Sequence, residues 1–287
     1  MKNTHNLSFI IFFLLTAALF YVYWLVFAYG AGGEPKFYFL DVGQGDSELV
    51  VFPGGMKIIT DAGPDSKIVK SAERVLGEDK YIDLGLITHS QLDHFNGFYY
   101  LLDHYNFGAF IINGRTDAAA KSEWDALFAK IKEKNIPVIV LSAGDKIRFE
   151  DNSIKIISPG PEFISSGEPN DTGLVELISA PPVRAIFTAD TGSNIEDFLI
   201  KQKIDLSADI LKVGHHGSKY STSDEFLKAI NPKVAVIEVG AKNVYNHPTP
   251  ETLERLKNAS VPVFRTDQDG TVTVTAEADK LRIFKEK

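Results

Sequence analysis

The sequence predicts an α/β protein with αββα layering: two mixed sheets packed face to face, helices on their outer faces, and one membrane-spanning helix in front. Three observations predict it. The amino terminus carries an uncharged apolar run, strand-length and helix-length segments alternate from residue 37 onward, and histidines gather where predicted strands end. The 287-residue chain is 44% hydrophobic and 24% charged, ordinary values for a globular protein with its own core. It has no cysteine, which excludes disulfides, thiolate metal ligands and cysteine nucleophiles. Any bound metal must take nitrogen and oxygen ligands.

Residues 7–29 carry no charge, and at ~1.5 Å rise per residue a helix of that length crosses the ~30 Å hydrocarbon core of a bilayer. Phe, Leu, Ile, Tyr and Trp surround it on every side, unlike a buried helix with one polar face. An uncleaved anchor over 7–29 is expected. Ala28-Tyr29-Gly30 also resembles a small-x-small cleavage site, although the apolar run is longer than a usual signal-peptide core. Lys2 and the free amino terminus precede the run, while Glu34 and Lys36 follow it and cancel. Residues 1–6 are therefore expected in the cytoplasm, 30–36 as a linker, and 37–287 as one domain held outside the cell membrane by a single pass. Tyr21, Tyr23, Trp24 and Tyr29 would form an aromatic belt at the outer interface.

The domain opens with strands over 37–42, 48–52 and 56–60, the last two joined by the turn signal Pro53-Gly54-Gly55. Ile68, Val69, Ala72, Val75 and Leu76 fall at helical spacing, and 84–88 returns to strand character before a polar loop that carries histidines. A second cycle places helices over 98–105 and 122–134, and strands over 109–112, 137–141, 146–149 and 153–158. A loop rich in Pro, Gly and Ser spans 159–169. Strands over 174–178, 184–188, 209–213 and 234–239 alternate with helices that follow Ser193, cover 224–230 and open at Pro250. Strands over 271–275 and 281–284 end the chain. No tandem repeat or second-domain linker follows residue 36.

Four of the seven histidines form two tight groups, His89 with His94 and the pair His215-His216, each just after a predicted strand. Loops at strand ends are where rigid scaffolds display reactive side chains. The segment Thr88-His89-Ser90-Gln91-Leu92-Asp93-His94 brings two imidazoles and a carboxylate onto one short turn. Such ligands suit a divalent cation in a chain without thiols, and an open coordination position would bind and acidify water. Asp190, at the end of an apolar strand, is the next carboxylate, with a cap or turn aspartate as the plainer reading. Asp61, after Ile58-Ile59-Thr60, is open to the same two readings. In Asp41-Val42-Gly43-Gln44-Gly45-Asp46 the glycines permit a tight turn and the aspartates can bond its amides, which makes this segment framework near the site. Nothing recruits His5 or His104 to the chemistry.

Eight segments in one order carry a family resemblance: LDVGQGDSELV from Leu40, IITDAG from Ile58, THSQLDHFNG from Thr88, NDTGLVEL from Asn170, IFTADTG from Ile186, ILKVGHHGSKYS from Ile210, AVIEVGAKNVYNHPTPETLERL from Ala235 and FRTDQDGTVTV from Phe264. Over about residues 36–275 the chain resembles the metallo-β-lactamase superfamily, specifically the hydrolase domain of ComEC-type DNA-uptake proteins. The resemblance implies the four-layer αββα sandwich and a metal-dependent hydrolase. The superfamily motif His-x-His-x-Asp-His falls on His89, Gln91, Asp93 and His94, so Gln91 departs from it. One implied metal site combines Asp93, His94, a bridging Asp190 and His216, with His215 facing the substrate; the opposite assignment of the pair stays open. The other combines His89 and Asp190 with Gln91 and either Asn170 or Asp171, and a neutral amide there suits manganese or magnesium better than zinc. One or two Zn²⁺ or Mn²⁺ ions are therefore implied. Asp61 and Asp41 would support the ligands from behind. His247 matches a position at the mouth of the site, as a phosphate or leaving-group contact, or is a surface histidine before a Pro-rich turn.

Asp93, His215 and His247 are the side chains this resemblance sets closest to the reaction, in-line attack of a metal-activated water on a phosphodiester. DNA is the implied substrate. A single helix cannot form the channel that ComEC-type proteins build from many, so the domain is expected either to work beside a separate channel protein or to scavenge extracellular nucleic acid. The charge balance lends DNA little support: 30 Lys and Arg stand against 38 Asp and Glu, whereas nucleic-acid binders usually show a basic face. Lys212, Lys219 and Lys242 lie near the motifs as a candidate local stripe. Alternatives are another phosphodiester such as a phosphocholine ester, or a non-catalytic, metal-poor binding domain, which Gln91 favours. Acyl hydrolysis, as by a β-lactamase or thioesterase, ranks third.

Overall fold

The computed structural model describes residues 3–30, 33–115, 119–164, 168–277 and 280–287, with the side chains of the first segment described over 8–24. Lys2, Ala31-Gly32 of the linker, and the side chains of His5, Ala28 and Tyr29 lie outside the described residues. Helix α1 (Asn3–Gly30) is continuous, and large apolar side chains from Phe9 to Trp24 are exposed along it. Among the described residues no helix is long and apolar enough to cross a membrane. The run read from the sequence continues past the described side chains at both ends.

Strands β1 (Lys36–Phe39), β2 (Glu48–Val51) and β3 (Lys57–Thr60) form an antiparallel meander. Helix α2 (Lys67–Leu76) then leads to β4 (Tyr81–Leu86), which runs parallel to β3. Two short helices, α3 (Leu92–Phe95) and α4 (Gly97–Leu101), precede β5 (Asn106–Ile112), and α5 (Lys121–Glu133) precedes β6 (Val138–Val140), again parallel. The chain next builds the second sheet, first with antiparallel β7 (Lys146–Phe149), β8 (Asn152–Ser158), a turn of helix α6 (Pro161–Ile164), β9 (Val175–Ala180) and β10 (Val183–Phe187). Parallel strands follow with helices between them: α7 (Ser193–Lys201), β11 (Ile210–Lys212), α8 (Asp224–Ile230), β12 (Val234–Ile237), α9 (Pro250–Asn258) and β13 (Val263–Arg265). After α10 (Thr266–Asp269) the chain returns to the first sheet with β14 (Val272–Glu277), paired to β1, and β15 (Lys280–Lys285). The strand orders are 15-14-1-2-3-4-5-6 and 13-12-11-10-9-8-7.

Successive strand residues point to opposite faces, so each sheet feeds two cores. Phe37, Phe39, Ile58, Ile154, Phe187, Val236 and Val274 meet between the sheets. Ile59, next to Ile58, instead joins Phe98, Phe110, Trp124 and Leu127 beneath the helices of the first sheet. Leu211, Ala235, Ile195, Leu199, Phe226 and Leu256 fill the third core on the far side. The four expected layers are present. The structure departs from the sequence reading at residues 92–95, a helical turn where a loop was expected, and at 98–105, where the helix ends at Leu101. Strand β13 was not anticipated, because three residues are too short to show alternation.

Candidate metal centre and active site

The histidine groups and Asp190 stand at carboxyl ends of strands or just beyond them, as ligand sites in α/β sheets usually do. Their aim comes from unusual backbone. Asp61, Ala189, His215 and His216 all have φ near +50° although none is glycine, a conformation that costs ~1–3 kcal/mol and clusters at functional sites. Gly45 explains one close packing beside them: a Cβ there would lie 2.4 Å from the Asp93 carbonyl oxygen, so only glycine lets the 43–46 turn reach the α3 turn.

Asp93, His94, Asp190 and His216 converge, each offering a ligand atom within 4.8 Å of the others. Asp190 Oδ2 lies 3.3 Å from His94 Nε2 and 3.5 Å from His216 Nε2, and Asp93 Oδ2 lies 3.4 Å from His216 Nε2. Each imidazole is tied back through Nδ1. His94 donates to Asp61 Oδ2 at 2.7 Å, His216 donates to the Glu238 carbonyl at 2.9 Å, and His89 bonds Thr88 Oγ1 at 2.9 Å, which itself donates to Asp61. Such ties fix the ring and the tautomer and turn Nε2 inward. His89, His94 and His216 Nε2 and Asp190 Oδ1 are all buried with no hydrogen-bond partner. Buried polar atoms are seldom left so, and nitrogen and oxygen donors with free lone pairs fit a divalent cation.

The electrostatics agree with this reading. Burial alone would raise the carboxyl groups, but His94 and His216 bring Asp93 down to about 2, and with Lys212 they hold Asp190 well below the usual carboxylate range. Burial would lower His94 and His216, yet Asp190 with Asp61 or Asp46 holds both well above the ordinary imidazole range. Burial and the neighbouring His94 push His89 down to about 4. A cation in place of the protons on His94 and His216 would satisfy the same carboxylates.

Above this cluster opens a cleft of about 370 Å³ lined by Gln91, Leu92, Asp93, Asn170, His215 and Tyr245, among others. His215 Nε2 stands farther out than its neighbour, 3.9 Å from Asp190 Oδ2 and 3.5 Å from Asn170 Nδ2, and its side chain is 32% exposed. His247 also lines the cleft, its ring centre 5.6 Å from that of His215; burial and His215 push it down to about 4. On the His89 side the sequence left Asn170 and Asp171 open. The 3-10 turn Pro169–Thr172 sends them apart: Asn170 faces the cleft with Oδ1 buried and unpartnered, whereas Asp171 accepts a hydrogen bond from Asn194 at 2.7 Å and is not part of the lining. Asp61 sits where support was expected. Asp41 does not; its carboxylate accepts from Lys67, Lys287 and the Gly43 amide, away from the ligands.

The sequence reading missed a buried charged group behind the ligands. Lys212, read there as surface charge, is fully buried; its ammonium bonds Asp46 and the Ala189 carbonyl and lies 4.0 Å from Asp190 Oδ1. Asp46 Oδ1 is 3.2 Å from His216 Nδ1, so this carboxylate faces a ligand imidazole and Lys212 rather than the amides of its turn. Glu48 and Glu238 are buried beside it. Lysine in the apolar strand Ile210-Leu211-Lys212-Val213, and glutamate in Val236-Ile237-Glu238-Val239, was the available signal.

Residues 40–240 match the metallo-beta-lactamase superfamily. The chain belongs to that superfamily. It is a hydrolase of this superfamily, whose fold uses divalent metals, with a candidate site for one. It is 29% identical over 270 residues to ComE operon protein 3 of Bacillus subtilis, covering 88% of this chain and 34% of that protein. It is 27% identical over 262 residues to Recombination protein 2 of Haemophilus influenzae, covering 85% and 29% respectively. The chain thus spans about a third of the length of these competence-related relatives. Among solved structures, the metallo-beta-lactamase fold protein YhfI from Bacillus subtilis superposes with a TM-score of 0.55 at 14% identity, over 88% of this chain and 100% of that one, which shows the shared fold.

Proposed function

We propose that the chain is a metal-dependent phosphodiesterase acting on DNA outside the cell membrane, to which α1 anchors it. The observation that carries this reading is the convergence of Asp93, His94, Asp190 and His216, with unpartnered donors at the floor of an open cleft. Similarity to competence proteins supports nucleic acid as substrate, and the exposed apolar side chains of α1 support the anchor. A DNA-uptake role would require a channel through the membrane beside this domain.

Asp93, His94, Asp190 and His216 would hold the first cation, and His89, Asp190, Gln91 and Asn170 a weaker second one. When bound, Zn²⁺ or Mn²⁺ supplies Lewis acidity and a nucleophile at neutral pH. The chain's own groups do the rest. Asp61, Thr88 and the Glu238 carbonyl hold the imidazoles in one tautomer. His215, kept below the usual imidazole range by burial, lines the cleft and is placed to hydrogen-bond the leaving oxygen. His247 stands behind it at the mouth.

The test is metal content and Zn²⁺- or Mn²⁺-dependent cleavage of single- and double-stranded DNA by the full-length chain, with Asp93→Ala/His94→Ala as control. Cleavage that disappears in the control is the expected result. Bound metal without DNA cleavage would move the reading to another phosphodiester, such as a phosphocholine ester, which the net charge of −8 favours. A metal-free chain would leave a binding domain.

A further inference from the structure

The rim of the cleft carries an aromatic side chain with no structural task. Tyr245 is 63% exposed and adjoins Val244, which is more exposed still. A loop tip of that kind usually carries polar residues. Here the loop is held firmly from within: Asn243 Nδ2 donates to the Gly240 and His247 carbonyls at 2.9 and 2.8 Å, and its Oδ1 accepts from the His247 amide at 3.0 Å. Asn246, at φ 58°, makes the bend that carries the chain into His247. The backbone on either side of Tyr245 is thereby held while most of its side chain stays exposed.

Its ring stacks on His247 with centres 5.9 Å apart and planes at 28°. His247 in turn meets His215 edge-on at 5.6 Å, and His215 reaches to 3.9 Å from Asp190. Three rings therefore step from solvent down to the metal ligands. Leu92, also exposed, lines the same cleft. The cleft thus offers a flat aromatic face and an aliphatic side chain at its rim, and anionic and imidazole groups at its floor. A nucleotide has the matching order: a flat base joined through its sugar to a phosphate. A quaternary ammonium group would instead call for several rings caged around a cation, and among the described lining residues Tyr245 is the one tyrosine, tryptophan or phenylalanine.

We propose that Tyr245 stacks on the nucleobase next to the scissile phosphate, so that the site selects unpaired nucleic acid. This rests on the phosphodiesterase reading above. Stacking on one exposed aromatic is tolerant of base identity and needs the base free of its partner.

The test uses the full-length, Mn²⁺-loaded chain and two short single-stranded oligonucleotides, each with one cleavable phosphate. They differ only in whether the adjoining residue bears a base or is abasic. Tyr245→Ala is expected to raise KM on the first by roughly tenfold or more, with a much smaller change in kcat, and Tyr245→Trp to restore it. On the abasic substrate the wild type should already show the raised KM, and Tyr245→Ala should add nothing. Equal wild-type KM values on the two substrates, or a Tyr245→Ala defect that persists on the abasic one, would overturn stacking and leave the phosphodiesterase reading standing. Hydrolysis of bis(p-nitrophenyl) phosphate with no cleavage of either oligonucleotide would overturn the choice of nucleic acid, and the stacking with it.

Discussion

His216 separates two groups of carboxylates that have been given opposite tasks. On its Nε2 side lie Asp93 and Asp190, joined by His94 and open to the cleft. On its Nδ1 side lie Asp46, Glu48 and Glu238, close enough together to resemble a metal site but lining no part of the cleft. The inner group brings its own cation, since the Lys212 ammonium is bonded to Asp46. Its remaining carboxyls are kept from ionising: burial and Asp46 raise Glu238 to about 8, and burial and Glu238 raise Glu48 well above the ordinary value. Proximity of carboxylates therefore does not identify a metal centre. Buried imidazole nitrogens left unpartnered beneath the cleft do, and they distinguish the outer group from the inner one.

Substitutions can break or sharpen that contrast. Asp190→Ala removes the carboxylate that His94 and His216 share, so bound metal and turnover should fall to background together, a larger effect than the ~10–100-fold loss typical of supporting groups. Elemental analysis and hydrolysis rates on one preparation check it, and retained metal would remove Asp190 from the centre. Lys212→Met should act first on stability, because it leaves Asp46 buried without its cation, at a cost of about 3–5 kcal/mol in denaturant unfolding. Removing both charges, as Lys212→Met/Asp46→Leu, should recover much of that stability while weakening metal binding through the lost support of His216. A single variant as stable as the wild type would mean that the inner group is not a charge pair.

Glu176 supplies a pH test at a distance from the ligands. It is fully buried and accepts a hydrogen bond from Thr60; burial raises it to about 8 from an ordinary value of 4.5. Between those values the unfolded chain releases the proton while the folded chain keeps it, so this group lowers stability as pH rises, at ~1.4 kcal/mol per unit and a few kcal/mol at most. Glu176→Gln, which keeps the acceptor for Thr60, should melt with the wild type at pH 5 and above it at pH 8. Equal melting temperatures at both values would show that Glu176 ionises freely in the fold. The smallest effect expected is from Gln91→His, which should strengthen the second cation roughly tenfold; titration calorimetry showing one unchanged binding event would count against a site on the His89 side.

Much of this was legible in the sequence because burial and display leave different marks. Layering followed from apolar strands alternating with amphipathic helices, and the ligands followed from polar, metal-binding side chains placed at the ends of apolar strands. His89, Asp190 and His216 follow apolar strands at the point where the chain leaves the core, and His94 comes one short turn after His89. What was not legible depends on partners distant in the chain. Lys212 looks like surface charge until Asp46, 166 residues away, is seen beside it. Asn170 and Asp171 are adjacent, and only the turn geometry tells which faces the cleft. Tyr245 gave no signal, because an aromatic residue in a loop is informative only once it is seen to be bare.

The place of β1 has a consequence for how the protein is made. Its outer neighbour is β14, in the register Lys36↔Thr275 to Phe39↔Val272, and the Asp41 amide just beyond it donates to Thr271 Oγ1. During synthesis the first strand of the domain emerges long before the segment that covers its open edge, and contacts so remote in sequence form slowly. Until those last residues leave the ribosome, one side of β1 is an unpaired, apolar template for strand addition. Pairing with β14 is thus the step that closes this edge, and it waits on translation of nearly the whole domain.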